Sequence, residues 1–479
     1  MVEVLIQILQ LIAAFALLIA LHEGGHFLAA KLFKVRVEKF YLFFDAWNIS
    51  LFSTYKNWFR KLRGKEPAKK KFIKDKNGND VQDGYEYEGT EYGIGWLPLG
   101  GYVKISGMID ESMDLEQMKQ DPQPWEFRTK PAWQRLIIML GGVIMNFITA
   151  FVLYSLVLCV WGESYIEPKD MTYGFKFSET AKQDGFQDGD IILKIDNKPL
   201  KKWNTSCIRN ISNAKSVTVL RNGQESTVSL SGKMNMLDML DPIYAQELMP
   251  LEVDSILHGS PAEKIGLKHG DHITAINGKE VKDFNDFTTQ LATIPASLGE
   301  DAIAADSLKA RHIVLTINGE DKDVVLTETF KLGFQNKVPN YKITTKTYNL
   351  ISCIPAGIDL GCEQISGYVN DLKYIFTAKG AKSVGGPVGI VSIFPKAWDW
   401  LKFWMLTAFL SIALGVMNLL PIPALDGGHA VIAIWEIITR KKPNDKFLER
   451  VQTVGLWLII ALMVLATWND IMRLLNINL

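Results

Sequence analysis

The chain has 479 residues, 48% of them hydrophobic and 22% charged, with Lys+Arg 52 against Asp+Glu 52. Zero net charge argues against a nucleic-acid protein, because phosphate recognition leaves a basic excess; 24 Phe and 13 Trp exclude disorder over most of the chain, and four Cys exclude a disulfide-built scaffold. The apolar residues gather near 4–30, 136–161, 400–424 and 452–475, each approaching or exceeding the ~20 residues that cross ~30 Å of hydrocarbon.

The first span, within 1–33, lacks a basic n-region and a small-residue cleavage site, so it reads as retained and not as a signal peptide. It carries His22, Glu23 and His26 in an H-E-x-x-H pattern. On a helix, positions i and i+4 share a face, so both imidazoles can bind one metal, with Glu23 available as general base for a water. A charge at the centre of a span costs ~2.5–3.5 kcal/mol on insertion scales, and such residues mark function. The bland alternative is a pair of hydrogen-bonded packing histidines.

Residues 34–135 form the first connecting loop. Within it, 55–90 is dense in Lys, Asp, Glu and Gly and reads as a solvated insertion, with an anionic-lipid contact as the alternative. Residues 93–108, including Gly95, Leu99, Gly100, Gly101 and Tyr102, are apolar, Gly-rich and strand-like. They are too short to span and suit either a membrane-associated β-hairpin or an ordinary soluble one. The second span is 136–161.

Residues 162–345 carry an internal repeat. Ala181 to Lys198 matches Ala262 to Lys279 at a constant offset, and Val217 to Gly223 echoes Ile313 to Gly319 at a larger one, so the second copy has a longer insert. Each copy reads as a short helix closed by Gly, a Gly-Asp turn, an alternating strand and an Asn-Gly-type hairpin turn. The pattern resembles PDZ domains, expected at 162–248 and 249–345, which bind extended peptides at a sheet edge. An amphipathic interfacial segment is expected at 346–398. Cys353 and Cys362 lie in it and could pair; buried, unreactive thiols are the alternative for all four Cys.

The third span is expected over 399–426, ending in Asn418, Pro421, Pro423 and Asp426, and a loop at 427–451 leads to the fourth at 452–476. Two His leave a catalytic zinc short of three protein ligands. Asp426 and His429 compete for the third place, and Asp426 is preferred for its position in the motif. The first and third spans run in the same direction, so the histidine pair and Asp426 come to similar depth. Basic residues Lys34, Arg36, Lys39, Arg128, Lys130 and Arg135, with Arg440, Lys441, Lys442, Lys446 and Arg450, place the two loops in the cytoplasm. Both termini and the repeat region then lie outside.

Taken together, the H-E-x-x-H in the first span, Pro98 to Lys104, the tandem repeats and the Asn418, Pro421, Pro423, Asp426, Gly427 series resemble the site-2 protease family, in the arrangement of its bacterial RseP type. The resemblance implies a polytopic α-helical membrane protein of the bacterial inner membrane, with four transmembrane helices, a cytoplasmic-side re-entrant β-hairpin and two extracytoplasmic PDZ-like α/β domains. It implies a zinc-dependent intramembrane endopeptidase acting in regulated intramembrane proteolysis. One Zn2+ would be held by His22, His26 and Asp426, and Glu23 would activate water. Asn418, Pro421, Pro423, Gly95, Leu99, Gly100, Gly101 and Tyr102 would meet substrate. The implied partners are transmembrane proteins such as anti-sigma factors after a first cut by another protease, signal-peptide remnants and the lipid bilayer. A non-enzymatic PDZ scaffold and a transporter are the competing classes; nothing like a transporter's repeat of spans is present.

Overall fold

The computed structural model describes residues 2–54, 70–74, 80–87, 89–98, 100–108, 121–232, 234–240, 242–298 and 304–475. The chain divides into two units, Met1–Gly162 with Thr347–Leu479, and Glu163–Lys346. Among the described residues, four helices are long and apolar enough to cross a membrane, all in the first unit.

Helix α1 (Val2–Leu32) runs unbroken through Gly24 and Gly25. It is followed by strands β1 (Val37–Leu42), β2 (Ser50–Ser53), β3 (Lys70–Lys74), β4 (Asp80–Tyr87), β5 (Glu91–Gly95) and β6 (Tyr102–Ile105). Most of the charged 55–90 stretch lies outside the described residues; the described part pairs β3 with β4 as an antiparallel ladder.

The 93–108 stretch is not a hairpin closed on itself. The sheet order is β2-β5-β1-β6, with β5 parallel and β6 antiparallel to β1. The charged segment after the first span thus supplies an inner strand, while β6 is an edge strand among the described residues. Val37 and Ile105 of this sheet share a core with Ala30 of α1 and with Ile138 and Met139 of the next helix, which fixes the sheet against the end of the first span. That helix, α2 (Ala132–Trp161), crosses α1 where Gly25 meets Gly141 and Gly142. A Cβ on Gly25 would stand 2.9 Å from the Gly142 amide nitrogen, so only glycine permits the backbone contact.

The second unit is a duplication. Its first copy comprises β7 (Glu163–Ile166), β8 (Phe175–Phe177), α3 (Glu179–Gln183), β9 (Ile191–Ile195), β10 (Lys198–Pro199), α4 (Thr205–Asn213), β11 (Ser216–Arg221), β12 (Gln224–Ser229), α5 (Met236–Leu240) and β13 (Ala245–Glu247). The second comprises β14 (Val253–Ile256), α6 (Pro261–Lys264), β15 (Ile273–Ile276), β16 (Lys279–Glu280), α7 (Phe284–Ala296), α8 (Ala304–Ala310), β17 (His312–Ile317), β18 (Glu320–Val325) and β19 (Phe334–Asn336). The sheets β10-β9-β11-β12 and β16-β15-β17-β18 have the same order. Both hairpin turns use paired left-handed residues, Asn222-Gly223 and Asn318-Gly319, as a type I′ turn requires. The insert in the second copy is the longer α7 together with α8. Lys176 joins the copies: its Nζ lies 3.1 Å from Asp188, 2.7 Å from Asp283 and 3.0 Å from Asp286. Strand β20 (Ile343–Lys346) then pairs back onto β7.

The 346–398 stretch folds into α9 (Cys353–Asp371), α10 (Ala378–Ser383) and α11 (Pro387–Ile393). Leu360, Ile365 and Tyr368 of α9 pack into one core with Leu153 and Tyr154 of α2 and Ile412 and Val416 of the third membrane-length helix, α12 (Trp400–Leu419). Cys353 and Cys362 cannot pair. Nine residues apart on α9, they lie on opposite faces and ~13.5 Å apart along its axis.

The third span ends sooner than the apolar block indicates. Helix α12 stops at Leu419, because Pro421 has no amide hydrogen and pushes Leu420 to extended backbone (φ −60, ψ 143). A tight loop follows, with Ala424 at φ 71. Residues 427–451, expected to be a loop, hold most of α13 (Asp426–Thr439) and the start of α14 (Asp445–Leu474). Two features seat α14. A Cβ on Gly455 would lie 2.6 Å from Pro423 Cβ, and Asp470 accepts hydrogen bonds from the Gly386, Val388 and Gly389 amides at 3.0, 2.9 and 3.1 Å.

Candidate active site

Residues far apart in the chain meet at one point. His22 and His26 come from one face of α1, and Asp426 is the first residue of α13, delivered there by the proline-broken loop. His22 Nε2, His26 Nε2 and Asp426 Oδ2 form a triangle whose three sides are each 3.3 Å. Among the described residues this is the one group of three or more His, Cys, Asp or Glu side chains close enough to hold a metal ion.

The triangle suits a tetrahedral cation. Zinc binds His nitrogen and carboxylate oxygen at ~2.0–2.2 Å, and a tetrahedron of that radius has edges of ~3.3–3.6 Å. A charge-assisted hydrogen bond would draw the same atoms to ~2.7–2.9 Å. Asp426 Oδ2 is buried and has no hydrogen-bond partner, which is costly unless a cation meets it. Two neutral imidazoles and a carboxylate are also the donor chemistry of a catalytic zinc that keeps a position open.

Helix α2 orients both imidazoles. His26 Nδ1 lies 2.8 Å from the Ile138 carbonyl, so Nδ1–H donates there and the Nε2 lone pair faces the triangle. Asn146 contacts His22 Nδ1 at 3.1 Å. Gly142 lies under both rings: a Cβ there would stand 2.6 Å from His22 Cε1 and closer still to His26 Nε2. Val103 of edge strand β6 comes close to the Glu23 carboxylate, and both line one cavity at the centre of the H-E-x-x-H.

A cavity of about 860 Å³ opens on this cluster. His22, Glu23, His26, Asn146, Asn418 and Asp426 line it, together with Gly100, Gly101 and Tyr102. Asn418 Nδ2 is 3.3 Å from His22 Nε2. Tyr102 donates to Asp45 at 2.9 Å and stacks on Tyr41. Gly101 is pressed between Ile19 and the Tyr41 carbonyl. Of the other residues expected to meet substrate, Gly95, Pro421 and Pro423 are not part of the cavity lining. Gly95 packs against the Phe43 and Phe44 carbonyls, Pro421 breaks the helix, Pro423 supports α14, and Leu99 lies outside the described residues. His429, the competing third ligand, lines the cavity but accepts a 2.7 Å hydrogen bond from Gln452 and does not join the triangle.

Sequence reading missed Asn146, Gly142 and Val103. A signal existed for the first alone, a polar side chain inside an apolar span.

The sequence pattern of Peptidase family M50 matches residues 10–56 and 81–462. The chain belongs to this family. It is a metalloprotease of the site-2 type, with helices of membrane-spanning length. The chain is 26% identical to "Protease RseP" of Yersinia pestis, over 99% of this chain and 100% of that one. It is 26% identical to a Ralstonia nicotianae protein and 28% identical to a Clostridium acetobutylicum protein, both named "Putative zinc metalloprotease". Those alignments cover 98% and 97% of this chain and 99% and 97% of theirs.

Proposed function

We propose that this protein is a zinc-dependent endopeptidase that cuts the transmembrane segments of membrane proteins. The observation that carries the reading is the equilateral donor triangle, 3.3 Å on each side, with Glu23 lining the same cavity. His22, His26 and Asp426 would hold one zinc ion. Bound there, zinc supplies Lewis acidity to the scissile carbonyl and to the attacking water. Glu23 takes the water's proton and passes it to the leaving amine.

A transmembrane helix hides its carbonyls in its own hydrogen bonds, so a substrate must unwind before it is cut. Strand β6 is paired on one side by β1, and no described strand pairs with its other edge. An extended segment joining that edge would pass beside Glu23, with Gly100, Gly101 and Tyr102 lining its path and the Asn418 amide within reach. The apolar 93–108 stretch would lie at membrane depth on the cytoplasmic side.

The repeated modules support a PDZ-like assignment, at 162–248 and 249–345, through their matching sheet orders. In this reading they stand outside a bacterial inner membrane with both termini. They exclude intact proteins and admit stubs left by an earlier cut, such as trimmed anti-sigma factors and signal-peptide remnants.

The test is cleavage of a model single-span substrate by the purified full-length chain, with zinc content measured. Wild type cuts; Glu23→Gln keeps zinc and does not cut; Asp426→Asn loses both. Equal zinc and equal cutting in all three would refute the assignment.

A further inference from the structure

Helix α9 runs antiparallel to the C-terminal half of α2, and small residues set the register. A Cβ on Gly357 would lie 2.5 Å from Ser155 Cα, so the two α-carbons are no more than ~4 Å apart. Four residues further along α9, Gly361 meets the Phe151 ring, four residues back along α2. The Ser155 hydroxyl also reaches the Ile354 carbonyl at 3.4 Å. One step of four in the opposite sense brings Cys353, at the start of α9, opposite Cys159, in the last turn of α2. The two thiols are near neighbours. Cys353 is buried, Cys159 is half-buried, and neither is bonded to another cysteine.

We propose that Cys159 and Cys353 are a dithiol that closes to a disulfide, stapling α9 to the end of the second span. A disulfide needs α-carbons ~4.4–6.8 Å apart, and one turn away from the pair the two backbones approach to ~4 Å or less. The chain passes Cys159 just before the unit Glu163–Lys346 and reaches Cys353 just after it. The loop closed by the bond therefore contains that whole unit. Helix α9 shares its core with α12, which carries Asn418, so the staple holds a neighbour of the active-site cavity. The inference does not rest on the proteolytic reading.

The oxidant is a disulfide donor, either a small-molecule disulfide or an oxidoreductase. The more accessible thiolate, Cys159, attacks one donor sulfur, forming a mixed disulfide and releasing one donor thiol. Cys353 then loses its proton and attacks the Cys159 sulfur, forming the internal bond and releasing the second donor thiol. Two protein thiols are oxidised and one donor disulfide is reduced.

The experiment uses the full-length chain in detergent, reduced and then equilibrated with oxidised glutathione. Thiols are counted by maleimide labelling and intact mass after acid quench and denaturation. The chain has four Cys. Wild type should fall from four reactive thiols to two, and a non-reduced digest should contain Cys159 linked to Cys353. Cys362→Ser should fall from three to one, Cys159→Ser should stay at three, and Cys353→Ser should stop at the mixed disulfide, with glutathione on Cys159 and two thiols left. Four thiols persisting in oxidised wild type, glutathione retained there on Cys159 with no internal bond, or a linked peptide containing Cys207 or Cys362 would each overturn the proposal.

Discussion

Adding one methyl group beneath the histidine pair separates metal binding from folding. In Gly142→Ala the new Cβ would stand 2.6 Å from His22 Cε1 and 2.9 Å from His22 Nδ1, where carbon contacts settle near 3.5–4.0 Å. Relief requires the rings to move by about 1 Å, whereas metal–ligand distances tolerate about 0.2 Å. Disturbing a residue that merely supports a metal ligand costs about 10–100-fold in affinity. Displacing a ligand should therefore exceed about 100-fold, or about 2.7 kcal/mol. The fold should survive, because overpacking costs about 1–3 kcal/mol and the change from Gly to Ala in a helix returns about 1 kcal/mol. Gly24→Ala is the control. It adds the same methyl group within the H-E-x-x-H itself, where a Cβ would meet nothing within 4 Å. Zinc affinity by chelator competition and apo-protein melting should be measured on both. Gly24→Ala should keep zinc and melt no lower than wild type; Gly142→Ala should melt within a few degrees of wild type and lose zinc. Wild-type affinity in Gly142→Ala, or equal loss in Gly24→Ala, would refute the geometry.

Two further outcomes follow from groups outside the cavity. Lys176→Met removes the cation shared by Asp188, Asp283 and Asp286 and should destabilise the repeated unit by about 3 kcal/mol, read by thermal or urea melting. Burial favours the neutral form of Asp188, yet the Phe177 amide and the Lys176 and Lys182 ammonium groups outweigh it and hold its carboxyl below the usual range. Its contribution is present above the ordinary Asp value of about 3.9 and is lost as pH falls through the depressed one. Burial likewise works against the Lys176 charge, but the three carboxylates hold its pKa above the ordinary lysine value. Its contribution is present below about 10.4 and lost as pH rises through the raised value, so Lys176→Met should flatten both flanks of the stability profile. Asp470→Asn weakens three amide contacts at the start of α11 and should lower the melting temperature, at a cost of about 2 kcal/mol, with the fourth span loosened.

What the sequence disclosed depended on whether the physics is local. Two imidazoles on one helical face need a fixed spacing, so His22 and His26 stand out, and the Asn-Gly turns stand out because left-handed backbone restricts residue choice. Strand β1 did not: Glu38 and Lys39 mask it, and nothing nearby states that it lies between β5 and β6. The end of α12 was misjudged because apolar residues continue past Leu419; the prolines, not hydropathy, set the boundary. Helix α13 was missed because Gly427 and Gly428 read as loop. In the structure Gly428 instead lets the helix begin against the Ile422 and Pro423 backbone.

Asn146 was the one missed site residue that left a signal in the sequence, and its role turns on one proton. If His22 gives its Nε2 lone pair to a metal, Nδ1 carries the hydrogen and needs an acceptor. Asn146 presents Nδ2 to that nitrogen at 3.1 Å, while its Oδ1 is buried and has no hydrogen-bond partner. Amide oxygen and nitrogen are assigned by network, and turning this amide over gives His22 Nδ1–H its acceptor and Oδ1 its donor. Asn146→Leu keeps the volume and removes the acceptor, so zinc affinity should fall about 10–100-fold. Asn146→Asp keeps an acceptor at the same distance and should recover most of it. Equal loss in both variants would mean that Asn146 fills space between α2 and α12, where its backbone carbonyl already accepts from the Ser411 hydroxyl at 2.7 Å. Recovery in the aspartate alone would make the second span, which contributes no ligand, the element that fixes which His22 nitrogen faces the metal.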